Sequence, residues 1–184
     1  MSLLSSARTM KALTTALLTF CFIASAIAGP TNDLTKALEP LRPFLKTWKG
    51  YFKDSTPEKP KFDVQKWERA LNGRAVRVLH SVNNGSYGGE TIIFPNPKSS
   101  ALEFYYFTTA GFSTRGTIEF EGSKVITNEE VSRNDDGITK VKATTEFLAD
   151  GKMRIVTQQF KNGVWHEGRD MTYQESPAAE VLFR

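Results

Sequence analysis

The stretch Gly111-Phe112-Ser113-Thr114-Arg115-Gly116-Thr117-Ile118-Glu119-Phe120-Glu121-Gly122 decides the fold. Phe112, Thr114, Gly116, Ile118 and Phe120 alternate with Ser113, Arg115, Thr117 and Glu119. A period of two with one apolar side is a strand with one face dry and one face wet. The bounding Ala110-Gly111 and Glu121-Gly122 pairs are turn signals. The same pattern recurs at Val76, Val78, His80 and Val82, and again at Thr139, Val141, Ala143, Thr145 and Phe147.

Working outward, further turn signals stand at Asn72-Gly73, Asn84-Gly85, Asn96-Pro97, Asp136-Gly137, Asp150-Gly151 and Asn162-Gly163. Their spacing is 11 to 15 residues throughout. Asn-Gly and Asp-Gly supply the left-handed residues that tight hairpins require. Eight turns separate nine strands, and Thr47 to Lys53 adds another at the start. Nothing in the chain reads as a long helix able to cover a flat sheet. The expectation is therefore all-β: a single antiparallel up-and-down β-barrel of about ten strands, spanning residues 47–175. A two-sheet sandwich is the alternative.

Residues 29–46 precede the barrel. Leu34, Leu38, Leu41, Phe44 and Leu45 have near-helical spacing, and Pro40 and Pro43 interrupt it. One or two short helical turns are expected there. Residues 176–184 form a C-terminal tail, and residues 54–61 a long polar loop.

Residues 1–28 read as a cleavable signal peptide. They carry Arg8 and Lys11 with no acid, then the apolar run Ala12 to Ile23, then Ala26 and Ala28 at the −3 and −1 positions before Gly29. The apolar run is shorter than the roughly 20 residues a membrane-spanning helix needs. The expected location is periplasmic or secreted, with no stable membrane insertion after cleavage. Removing these residues lowers the net charge from +4 to +2. No cluster of Lys and Arg with interleaved aromatics remains, so no nucleic-acid partner is expected. Cys21 leaves with the signal, which excludes a disulfide, a thiolate metal site and a Cys nucleophile from the remainder.

Pro43-Phe44-Leu45-Lys46-Thr47-Trp48-Lys49-Gly50 places a Trp at the start of the first strand, after a short helical lead. This resembles the Gly-x-Trp opening of lipocalins and the opening of nitrobindin-like barrels, within the calycin-type set of small exported barrels. The Gly of Gly-x-Trp is Lys46 here. The resemblance implies a calycin-type barrel over about residues 38–175. Trp48 itself reads as a bulky plug for the narrow end. An Arg such as Arg169 is a candidate to stack on an indole. Nitrobindin-like proteins hold haem through a His near the C-terminal end. Residues 171–184 contain no His, and His166 lies earlier, so haem ligation is not carried over and no cofactor is expected.

Chemistry-bearing motifs are sparse. There is no G-x-S-x-G elbow, and Gly85-Ser86-Tyr87-Gly88-Gly89 lacks the Lys and helix of a phosphate loop. It reads as a hairpin with a kink or close backbone approach. His80 and His166 are too far apart for a local metal motif, and no metal is expected.

Three features stand out. His80 shares the apolar face of Val76, Val78 and Val82, and is either a core histidine satisfied by a neighbour or a polar anchor in a cavity. Glu129 shares a face with Val125, Thr127 and Val131, although Ile126 and Asn128 leave that strand's phase open. Leu102 to Phe107 has aromatics on both faces.

The leading expectation is a barrel that binds a small apolar or amphipathic molecule inside. Its candidate lining residues are Trp67, His80, Tyr105, Tyr106, Phe112, Glu129 and Trp165. The aromatics would supply apolar contact, and His80 and Glu129 would orient a polar head. One alternative is a packed barrel that serves as an interaction module for another exported protein. Another is an enzyme (isomerase, cyclase or hydrolase) with His80 or Glu129 as its acid–base group.

Overall fold

The computed structural model describes residues 33–99, 101–132 and 136–184. The signal-peptide reading of residues 1–28 lies outside them. Ten antiparallel strands follow one another in space as they do in sequence: β1 (Thr47–Tyr51), β2 (Phe62–Ala70), β3 (Ala75–Val82), β4 (Tyr87–Pro95), β5 (Leu102–Thr108), β6 (Ser113–Glu121), β7 (Lys124–Val131), β8 (Ile138–Phe147), β9 (Met153–Lys161) and β10 (Val164–Glu175). Each of the eight turn signals falls between two consecutive strands. The sheet closes where β1 pairs β10, through Trp48↔Glu175, Lys49↔Gln174 and Gly50↔Tyr173. The fold is thus a closed up-and-down barrel and not a sandwich.

Closure leaves two open ends, and the lead plugs one of them. Lys36–Phe44 forms a single 3-10 helix of nine residues, longer than the turns expected. A 3-10 helix repeats every three residues, so Leu38, Leu41 and Phe44 fall in one row, and all three are buried. Pro40 and Pro43, also three apart, stay exposed where their missing N–H groups cost little. The row packs into a core with Leu34, Val76, Ile93, Leu102, Met153 and Tyr173. Trp48 completes the plug at 1% exposure, and its indole N–H donates to the Phe44 carbonyl at 2.9 Å. Phe147 packs on both rings, with centroids 4.6 Å from Phe44 and 5.8 Å from Trp48.

Two irregularities interrupt the ladder. β10 carries one extra residue against β9 between Glu167 and Asp170, and β8 shows a similar shift between Ile138 and Lys140. A bulge of this kind reverses which residues face inward on either side of it. In β8 it takes Thr139 out of the inward row.

The tail leaves β10 where the Ser176 N–H donates to Thr47 O at 2.8 Å. It crosses outside β1 and β2 to reach β3 and β4. There the Leu182 N–H donates to the buried Ser81 hydroxyl at 3.0 Å. Phe183 lies over Gly88, the strand partner of Ser81.

Candidate functional site

The barrel interior holds a space of about 370 Å³. It runs from the plugged end toward the rim formed by Tyr87, Phe112, Val131 and Ile138. Its walls are largely apolar, and a polar group converges on one side.

That group begins with Asp63 on β2. Asp63 alternates in phase with Gln65 and Trp67, so all three point inward. Asp63 is fully buried and accepts from four donors. Its Oδ1 lies 3.0 Å from His80 Nδ1. Its Oδ2 accepts from Tyr173 Oη at 2.8 Å, from Gln65 Nε2 at 3.1 Å and from Arg169 Nη1 at 3.3 Å. Burial pushes the carboxyl toward neutrality. The hydrogen bond and charge of His80, the charge of Arg169 and the Tyr173 hydroxyl outweigh that effect, so Asp63 titrates below the usual carboxylate range.

The line continues inward from His80. Its Nε2 is 2.7 Å from Tyr106 Oη, and Tyr106 Oη is 2.9 Å from Tyr87 Oη. Burial, then the bond to Tyr87, drives the Tyr106 phenol pKa up. Burial, then the Asp63 charge, does the same to Tyr173. Both therefore remain protonated hydroxyls near neutral pH.

Glycine makes the Tyr106–His80 contact possible. Gly89 is the strand partner of His80, and a methyl group there would lie 2.4 Å from the Tyr106 ring. With no side chain at Gly89, the Tyr106 ring lies over it and reaches His80. Gly88 and Gly89 lie within β4 itself, after the turn, and what approaches Gly89 closely is the Tyr106 ring. Arg169 owes its position to the β10 bulge, where its own N–H donates to Thr157 Oγ1 at 2.6 Å. Its guanidinium lies 5.7 Å from the Phe52 ring centroid, so the aromatic partner is a Phe rather than an indole.

Glu129 lines the same space from β7, in phase with Val125, Thr127 and Val131. It accepts a short hydrogen bond from the Thr114 hydroxyl, and among the described residues no cation pairs with it. Burial raises its pKa, and the Thr114 bond only partly opposes this.

Five of the seven candidate lining residues meet here: Trp67, His80, Tyr106, Phe112 and Glu129. Trp67 packs on Phe44 and donates its indole N–H to Gln65 Oε1 at 3.2 Å. Tyr105 and Trp165 do not join them. Tyr105 precedes the inward Tyr106 by one residue and so faces out, 41% exposed and stacked on Phe94. Trp165 is 45% exposed and packs on Phe160, on the far side of the bulge. Both border an outer groove of about 490 Å³ in which Arg115 and Glu130 already pair at 3.3 Å.

Asp63, Gln65, Tyr87, Arg169 and Tyr173 were not expected here. For Asp63 and Gln65 a signal exists: counting back by twos from Trp67 puts both on its face. His166 is exposed. Among the described residues no three His, Cys, Asp or Glu side chains converge, and no helix is long and apolar enough to cross a membrane.

No protein-family model matches the chain, and no curated protein matches it significantly. The closed ten-strand antiparallel barrel is consistent with a calycin-like fold.

Proposed function

We propose that the protein is an exported, lipocalin-like binder of one small apolar or amphipathic molecule, held inside the barrel. The observation that carries this reading is the interior space of about 370 Å³, with apolar walls and one convergent polar group. Pockets for small ligands have this size and composition. Trp67, Phe112 and the aliphatic wall would take the apolar body. His80, Tyr106 and Glu129 would face its polar part. The space weighs against a fully packed interaction module, and the signal-like segment 1–28 supports export.

The test is native mass spectrometry of residues 29–184 purified from the natural host. A mass excess that disappears on denaturation is expected. A clean unliganded mass, together with no thermal stabilisation by naphthalene, would overturn the reading.

Glu129 favours a second reading, that of an acid–base enzyme acting on the bound molecule. A carboxyl without a cation, facing a phenol–imidazole–carboxylate line across an apolar space, has the parts of a proton-transfer site. On that reading, Glu129→Gln lowers turnover of the recovered ligand far more than it weakens binding.

A further inference from the structure

The hydrogen-bond line Asp63–His80–Tyr106–Tyr87 cannot place its protons independently. Asp63 is ionised, so His80 Nδ1, 3.0 Å away, must carry a hydrogen. A bare nitrogen there would set its lone pair against a carboxylate. One freedom is left. Between His80 Nε2 and Tyr106 Oη, 2.7 Å apart, there is room for a single proton.

When the imidazole is neutral, that proton belongs to Tyr106, which donates to Nε2. Tyr87 then donates to Tyr106, and only a lone pair on Tyr87 Oη is left facing the space. When the imidazole is charged, Nε2 donates to Tyr106 and Tyr106 donates to Tyr87. The Tyr87 hydrogen is then turned away from Tyr106. The charge on His80 thus sets the direction of the whole line. Tyr87 lines the space, and among the described residues Tyr106 is its one hydrogen-bond partner. Its unused valence is where a ligand's polar head would sit.

We propose that Tyr87 contacts the ligand head and that His80 selects the class of that head. With His80 charged the site takes an acceptor, a carbonyl or ether oxygen. With His80 neutral it takes a donor, such as an N–H, and a hydroxyl, able to donate or accept, suits either state. The inference rests on the interior-binding reading above. The titratable and charged groups around His80 are Asp63 on β2, Tyr87 on β4, Tyr106 on β5, Glu129 on β7, and Arg169 and Tyr173 on β10. Asp63 and Arg169 hold their charges, and Tyr106 and Tyr173 stay neutral. Glu129 is a further titratable group facing the space, its pKa raised by burial, and Glu129→Gln takes its charge out of the comparison.

The experiment compares three probes built on one ring system: naphthalene, 2-acetonaphthone (acceptor only) and 2-naphthol (donor and acceptor). Their affinities for residues 29–184 are measured by fluorescence titration at pH 5 and pH 8, in the natural sequence and in Glu129→Gln. From pH 8 to pH 5, 2-acetonaphthone should tighten about tenfold, the worth of one hydrogen bond. 2-Naphthol, whose hydroxyl can turn to donate or to accept, should change far less. Naphthalene should not change. Tyr87→Phe should flatten the 2-acetonaphthone slope and keep naphthalene bound. Parallel slopes for the two polar probes, or slopes that survive Tyr87→Phe, would overturn the inference while leaving interior binding in place. Failure of all three probes to bind would sink the interior-binding reading and this inference with it.

Discussion

The Tyr173 ring fills the space that a side chain at Gly50 would occupy. A methyl group at Gly50 would lie 2.9 Å from that ring. Tyr173, Gly50 and Asp63 stand in register across β10, β1 and β2, so the ring crosses β1 and its hydroxyl reaches the carboxylate beyond. Gly89, between Tyr106 and His80, serves the same purpose on the other side of the site. The polar line is thus assembled by leaving side chains out.

Gly50→Ala and Gly89→Ala should each destabilise the barrel by about 1–3 kcal/mol, the usual cost of overpacking. Urea denaturation of each variant measures it. Gly89→Ala should also abolish the pH dependence of polar-probe binding, because Tyr106 can no longer lie over residue 89. A Gly89→Ala protein that keeps both its stability and that dependence would remove the role assigned to this glycine.

Asp63 is the hub of the cluster, and removing its charge leaves Arg169 without its counter-ion. Asp63→Asn should cost about 3–5 kcal/mol at pH 7, as expected when one half of a buried pair is lost. The pH sign follows from its lowered titration. The stabilisation is complete above the unfolded-state value of about 3.9 and is lost as pH falls through the lower folded value. Denaturation midpoints of the natural sequence and Asp63→Asn should therefore converge in strong acid.

Glu129 has the opposite sign. Its folded-state titration is raised, so its favourable contribution exists below about pH 4.3 and is lost as pH rises through the folded value. Glu129→Gln should raise Tm by about 2–5 °C at pH 7 and by nothing measurable near pH 4. Thermal unfolding at the two pH values decides this. A variant less stable at pH 7 would show that the ionised carboxylate is well satisfied.

Inward and outward aromatics should separate cleanly in a binding assay. Tyr105→Ala and Trp165→Ala should leave naphthalene affinity within about twofold of the natural sequence. Phe112→Ala should weaken it by about tenfold or more, through lost apolar contact. Equal losses at Tyr105 and Phe112 would place the probe in the outer groove.

The barrel was legible because five of its eight turns are written in Asn-Gly or Asp-Gly pairs, and several of its strands in a period of two. The site was legible where that period ran unbroken, at His80 with Val76 and Val78. At Glu129 the sequence left the phase open, because Ile126 and Asn128 interrupt the alternation, and the structure turns Glu129 inward with Val125. Legibility failed where the period breaks. Trp165 shares its odd numbering with Arg169, Met171 and Tyr173, which lie on the inner side. The extra residue at Gly168 puts Trp165 on the outer face, and no local feature of the sequence demands that bulge. Tyr105 and Tyr106 cannot both face inward, and composition gives no means of choosing between them. Asp63 and Arg169 were missed because they meet from strands 106 residues apart.

The tail changes how the molecule would bear a load. The β1–β10 seam is registered through three residue pairs, whereas β2 and β3 share eight. A pull on the C-terminal side does not reach that short seam directly. It is taken up first at Leu182 and Phe183, which are anchored on Ser81 and Gly88, and passes through them into the long β2–β3 ladder. The seam comes under tension only once that anchorage has been peeled away, so the tail shields the shortest ladder of the ring.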